Sequence, residues 1–98
     1  MRAEFRTLEV AAAGNDGSDL DVRLYIRKWV QVGPFAGSGS LDIEVTLDGI
    51  RWVKVQTGIT AAGLFEVAQT CRGLRIHTTS LTGAAPVVTF AGFNARSE

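Results

Sequence analysis

The sequence has one cysteine, one histidine and two prolines among its 98 residues. With Cys71 alone no intramolecular disulfide can form, so whatever holds so small a chain together must come from its core or its neighbours. One cysteine and one histidine cannot make a structural zinc site without two carboxylates, and neither a C-x-x-C nor an H-x-x-x-H spacing occurs. An excess of positive charge is also lacking. Ten Lys+Arg offset ten Asp+Glu, and the pI is about 6.6, which argues against nucleic acid held through its phosphates. No apolar run approaches the roughly 20 residues that cross a bilayer. Met1-Arg2-Ala3-Glu4-Phe5 lacks the apolar stretch of a secretory signal. The chain therefore reads as soluble and made without export, with no membrane partner.

What is present is 46% apolar residues against 20% charged, enough for one packed core and too little charge for a disordered chain. The expectation is a single domain, residues 1–98, with a thin stability margin. Small domains without disulfides or metals often gain stability from other subunits, so self-association or docking onto a larger assembly is expected.

The periodicity is that of strands. Leu20, Val22, Leu24 and Ile26 alternate with other residues and should share an inward face. Leu41, Ile43, Val45 and Leu47 repeat the pattern, with Asp42 and Glu44 turned outward. Asp48-Gly49 supplies the positive backbone angles of a tight hairpin turn, leading into Ile50 to Val55. Val53 and Val55 should join the inward face, with Trp52 and Lys54 on the other. Further strands are expected at Phe5 to Ala12, Trp29 to Val32, Leu64 to Gln69, Leu74 to Thr79 and Val87 to Ala91, and loops at Gly14 to Ser18 and Gly33 to Ser40. Ala61 to Ala68 also admits a helical turn, shortened by Gly63. About eight short strands predict an all-β fold, an antiparallel two-sheet sandwich of jelly-roll-like topology.

Chemistry is sparse. His77 alternates with Arg75 and reads as a solvent-facing strand histidine, with no third group evident to orient it for catalysis. Cys71 reads as a buried or half-buried structural cysteine. Asp16, Asp19 and Asp21 lie in a polar turn without the glutamate and spacing of a calcium loop. Asp42 and Glu44 sit about 7 Å apart by strand geometry, as i, i+2 carboxylates on any polar face do, and read as solvated. Gly33, Gly37 and Gly39 precede a strand rather than a helix, so they make no phosphate cradle. No enzyme activity, cofactor or metal is expected. Trp29, Trp52, Tyr25 and Phe35 form a sugar-stacking platform only if they share an exposed face; core packing with cover at the sandwich edges is the simpler account of them.

The run Val30-Gln31-Val32-Gly33-Pro34-Phe35-Ala36-Gly37, followed by Leu41 to Trp52 with Leu47-Asp48-Gly49 and Trp52, resembles a pattern in small virion proteins of tailed bacteriophages. Cys71 to Ile76, Thr82-Gly83 and Val87 to Gly92 extend the likeness to about two-thirds of the chain. Thr46 stands where that pattern has serine, and Pro34 where it is often polar. The resemblance implies a β-sandwich capsid decoration, or cement, protein on the virion surface, made in the host cytoplasm. Its implied partners are the major capsid protein and copies of itself, in a homo-oligomer or multicopy lattice. The alternative is a carbohydrate-binding or tail or baseplate accessory module. The residues expected to dock are Phe5, Leu8 and Val10 of an N-terminal arm (residues 1–12), which otherwise forms an edge strand, together with Phe35 and Trp52.

Overall fold

A computed structural model describes residues 3–94. It contains eight strands: β1 (Ala3–Leu8), β2 (Leu20–Asp21), β3 (Tyr25–Val32), β4 (Gly39–Thr46), β5 (Val53–Ile59), β6 (Gly63–Val67), β7 (Gly73–Leu81) and β8 (Val88–Asn94). The first sheet has the order β1-β8-β3-β6 and the second β2-β7-β4-β5, with every pairing antiparallel. The rungs β1·β8, β2·β7, β3·β6 and β4·β5 are those of one long ribbon. Rolling it sets β8 beside β3 and β7 beside β4, which is a jelly roll.

The expected alternation holds where one strand stays in one sheet. Leu41, Ile43 and Val45 of β4 and Leu74 and Ile76 of β7 are buried, facing Val30 and Val32 of β3 and Val88 and Phe90 of β8. Phe90 is fully buried and meets Tyr25 with ring centroids 5.5 Å apart at 59°. Burying such a ring contributes about 2–3 kcal/mol.

Several expectations need correction. The run from Leu20 is not one strand: the chain leaves the second sheet after Asp21, turns with Tyr25 N–H donating to the Val22 carbonyl, and enters the first sheet. Crossing between sheets resets the face, so Val22 is buried while Leu24 and Ile26 are exposed. Leu47 lies beyond the end of β4 and is exposed as well. The Asp48-Gly49 connection is a longer loop than a two-residue turn, because Val45 pairs with Val53 across it. Gly49 does take a positive φ of 81°, and Asp48 Oδ1 accepts from the Ile50 and Arg51 N–H groups. Val53 lies on the expected face, opposite Val45, but opens onto solvent at the sheet edge, and Val55 is half-buried where the register shifts between Lys54 and Gln56. Residues 63–67 form an edge strand and no helical turn.

The loop over residues 14–18 is fastened along β7. Gly14 N–H donates to the Thr78 carbonyl, Thr78 N–H to the Asn15 carbonyl and Gly17 N–H to the Ile76 carbonyl, at 2.7 to 3.0 Å. Gly17 is required there, since a Cβ would fall 2.1 Å from the Glu9 carbonyl oxygen.

Candidate functional site

Two surfaces stand out, one on the outer face of each sheet. On the second sheet, Asp42 and Glu44 do point away from the core, as alternation requires, yet both are buried rather than solvated. The reason is cover supplied from other strands. Across the β4·β5 pairing, Lys54 Nζ lies 2.7 Å from Asp42 Oδ2 and 3.4 Å from Glu44 Oε2. On the other side Arg75, the register partner of Glu44, donates from Nε to Glu44 Oε1 at 2.8 Å. Its guanidinium lies 4.0 Å from the centre of the Trp52 ring. Thr79 and the Gly58 N–H complete the bonds to Asp42.

Burial alone would push the Asp42 carboxyl up. The Lys54 ammonium, the Gly58 N–H and the Thr79 hydroxyl together outweigh it and hold the group below its ordinary value. The same contact raises Lys54. Asp16 closes the network from the 14–18 loop, with Oδ1 2.7 Å from His77 Nδ1 and Oδ2 3.3 Å from Arg75. His77 is thus half-buried and held by a carboxylate, not the free surface histidine expected from its strand position.

Asp16, Glu44 and His77 bring ligand atoms within 4.8 Å of one another. A divalent ion there would have to displace Arg75, which already pairs with both carboxylates. Three carboxylates, two permanent cations and His77 therefore make a nearly balanced structural network. Cys71 stands apart from it, buried as expected. Burial raises its thiol against the opposing pull of the Lys28 charge, which disfavours the thiolate that nucleophilic chemistry needs. Lys28 itself is fully buried on the inward face of β3, the face that its alternation with Val30 and Val32 assigns to it.

The outer face of the first sheet carries an apolar aromatic stretch among Thr7, Thr89, Arg27, Gln31 and Glu66. Register places Phe5, Ala91, Trp29 and Glu66 in one row across β1, β8, β3 and β6. Phe93 flanks this row between Ala3 and Arg27, and Leu64 lies one row away beside Gln31. Phe5 is 64% exposed and Leu64 62%, while Trp29 and Phe93 are half-buried. The described chain measures 42 × 26 × 17 Å, so its broad surfaces are the outer faces of the sheets. Of these two, only the first presents large aromatic side chains free of an ion-pair network.

The residues expected to dock separate accordingly. Phe5 is on the surface. Leu8 is not available, because it is sealed in the core, and Val10 packs against that core half-buried. Phe35 also packs against the core, closing one end of the sandwich beside Gly39. Trp52 lies under Arg75 and beside Gly73, with one ring face taken. Of the expected arm, Met1 and Arg2 lie outside the described residues; Ala3–Leu8 is the edge strand β1 of the molecule's own first sheet. Trp29 and Phe93 join Phe5 through strand order, which alternation along a single strand does not reveal. No family model, curated protein or solved structure matches the chain.

Proposed function

We propose that the chain is a virion structural protein of the phage head-decoration kind, which binds a capsid lattice through protein contacts and catalyses nothing. The observation that carries this reading is the Phe5–Ala91–Trp29 row with Phe93 beside it, an apolar aromatic surface on the broad outer face of a sheet. Aromatic side chains anchored on paired strands are rigid, and they lose little entropy when a partner covers them. The jelly roll is an architecture that capsid and lectin domains share, so it agrees with the reading without deciding it. Many copies on a symmetric lattice would turn modest single contacts into a stable coat.

Immunogold labelling of virions purified from cells that encode the chain tests this. Regular labelling of heads at a fixed copy number is the expected result. Labelling of tails alone would favour the accessory-module reading, and unlabelled particles would remove the virion altogether. Sugar binding remains the competing use of the same aromatics; it predicts saturable glycan binding that Trp29→Ala abolishes.

A further inference from the structure

We infer that β1 pairs edge to edge with β1 of a second copy, antiparallel about a two-fold axis at Phe5, joining two four-stranded first sheets into one continuous sheet. β1 ends its sheet, with β8 on one side and no strand on the other among the described residues. An open edge of this kind is a template for another strand.

The sequence of β1, Ala-Glu-Phe-Arg-Thr-Leu, selects both the partner and the register. In a continuous sheet, directly opposed residues share a face, so two identical antiparallel strands meet only in registers centred on a residue. Centring on Glu4 sets it against its own copy, and centring on Arg6 does the same for arginine; both place like charges together. Centring on Phe5 sets Glu4 of each copy against Arg6 of the other and Ala3 against Thr7. Within one chain Glu4 and Arg6 already pair at 3.3 Å, so the two copies close a ring of alternating charge.

Phe5, 64% exposed in the single chain, then meets Phe5 of the second copy on the outer face. The row Trp29–Ala91–Phe5 continues across the axis into its symmetric equivalent. Exposed ion pairs contribute little affinity. They fix the register, while backbone pairing and the two rings supply the attraction. Two six-residue strands make a small interface, so the dimer should be weak and concentration-dependent. Such pairing requires nothing of what the outer face binds.

Sedimentation velocity of the full chain over a range of concentrations, at low ionic strength, tests it. Wild type should pass from monomer to dimer. Glu4→Arg and Arg6→Glu each create two like-charge contacts and should weaken dimerisation about tenfold, and the double reversal should restore it. Because Glu4 also accepts from the Tyr25 hydroxyl, a covalent readout stands beside the reversals. Phe5→Cys should give a disulfide-linked dimer on oxidation with diamide, whereas Leu64→Cys, equally exposed on the opposite edge strand, should not; Cys71 is buried and does not compete. A monomer at every concentration, single reversals without effect, or equal cross-linking of the two cysteine variants would overturn the pairing. Phe5 belongs to both surfaces, so the two readings are separated by the Glu4 and Arg6 reversals, which leave the aromatic row intact, and by Trp29→Ala, which leaves β1 intact.

Discussion

The Arg75 guanidinium lies 4.0 Å from the centre of the Trp52 ring while its Nε donates to Glu44 at 2.8 Å. One cation thus covers a buried carboxylate on one side and anchors the hairpin tryptophan on the other. This is how an outward-facing strand position becomes a buried one in a chain of this size.

Arg75→Met should therefore destabilise the fold more than an ordinary surface substitution. It leaves Glu44 buried with only the longer Lys54 contact and releases Trp52 from its cover. The expected loss is about 2–4 kcal/mol, with Arg75→Lys recovering part of it because the charge remains. Urea unfolding followed by tryptophan fluorescence measures both. A loss below about 0.5 kcal/mol, the ordinary surface value, would show the network to be incidental.

Stability should fall on acidification. Asp42 titrates below its ordinary range in the fold for the reasons given above, and Asp48 does so because the Arg51 and Ile50 N–H groups bond to it. A carboxyl with a depressed folded value binds its proton more readily when unfolded. Its contribution is complete above the unfolded value of about 4 and drains away as pH falls through the lower folded value. Thermal midpoints should decline steeply below about pH 4, and Asp42→Asn should lower the midpoint near neutrality while flattening that decline. An acid slope unchanged in the variant would contradict the assignment to Asp42.

Thr78→Val should stabilise the protein. Thr78 is fully buried on the inward side of β7, and its hydroxyl has no hydrogen-bond partner among the described residues. Valine replaces the hydroxyl with a methyl of similar size and removes a buried polar group, a gain of about 1 kcal/mol. The change should raise the thermal midpoint by several degrees, about 4–8 °C per kcal/mol for a domain of this length. A lower midpoint would mean that the hydroxyl is satisfied in solution.

Alternation in β4 and β7 was legible in the sequence because each stays in one sheet between its turns, and the number and class of strands followed from the turn residues. Leu24 and Ile26 were misplaced because the chain changes sheets at residues 22–24 without interrupting the alternation. Val53 keeps the expected face, opposite Val45, yet is exposed because β5 is an edge strand, and strand order is not encoded in local periodicity. The burial of Asp42 and Glu44 depends on Lys54, Arg75 and Asp16, which only strand order brings to the same face. A hint was available, since an acidic i, i+2 pair on one strand and a basic pair, Arg75 and His77, on another are complementary once the two strands are neighbours. Phe5 was identified from its place on the N-terminal strand, but its row with Trp29 requires the β1-β8-β3 order, which no single strand contains.

The most direct test of the docking account is co-sedimentation of the purified chain with heads that lack it, comparing wild type with Phe5→Asp and Trp29→Ala. The account predicts saturable binding of wild type at a fixed number of copies per head, and at least roughly tenfold weaker binding by each folded variant, since both remove an aromatic anchor. Wild-type chain left in the supernatant, or variants that bind as tightly as wild type, would contradict it.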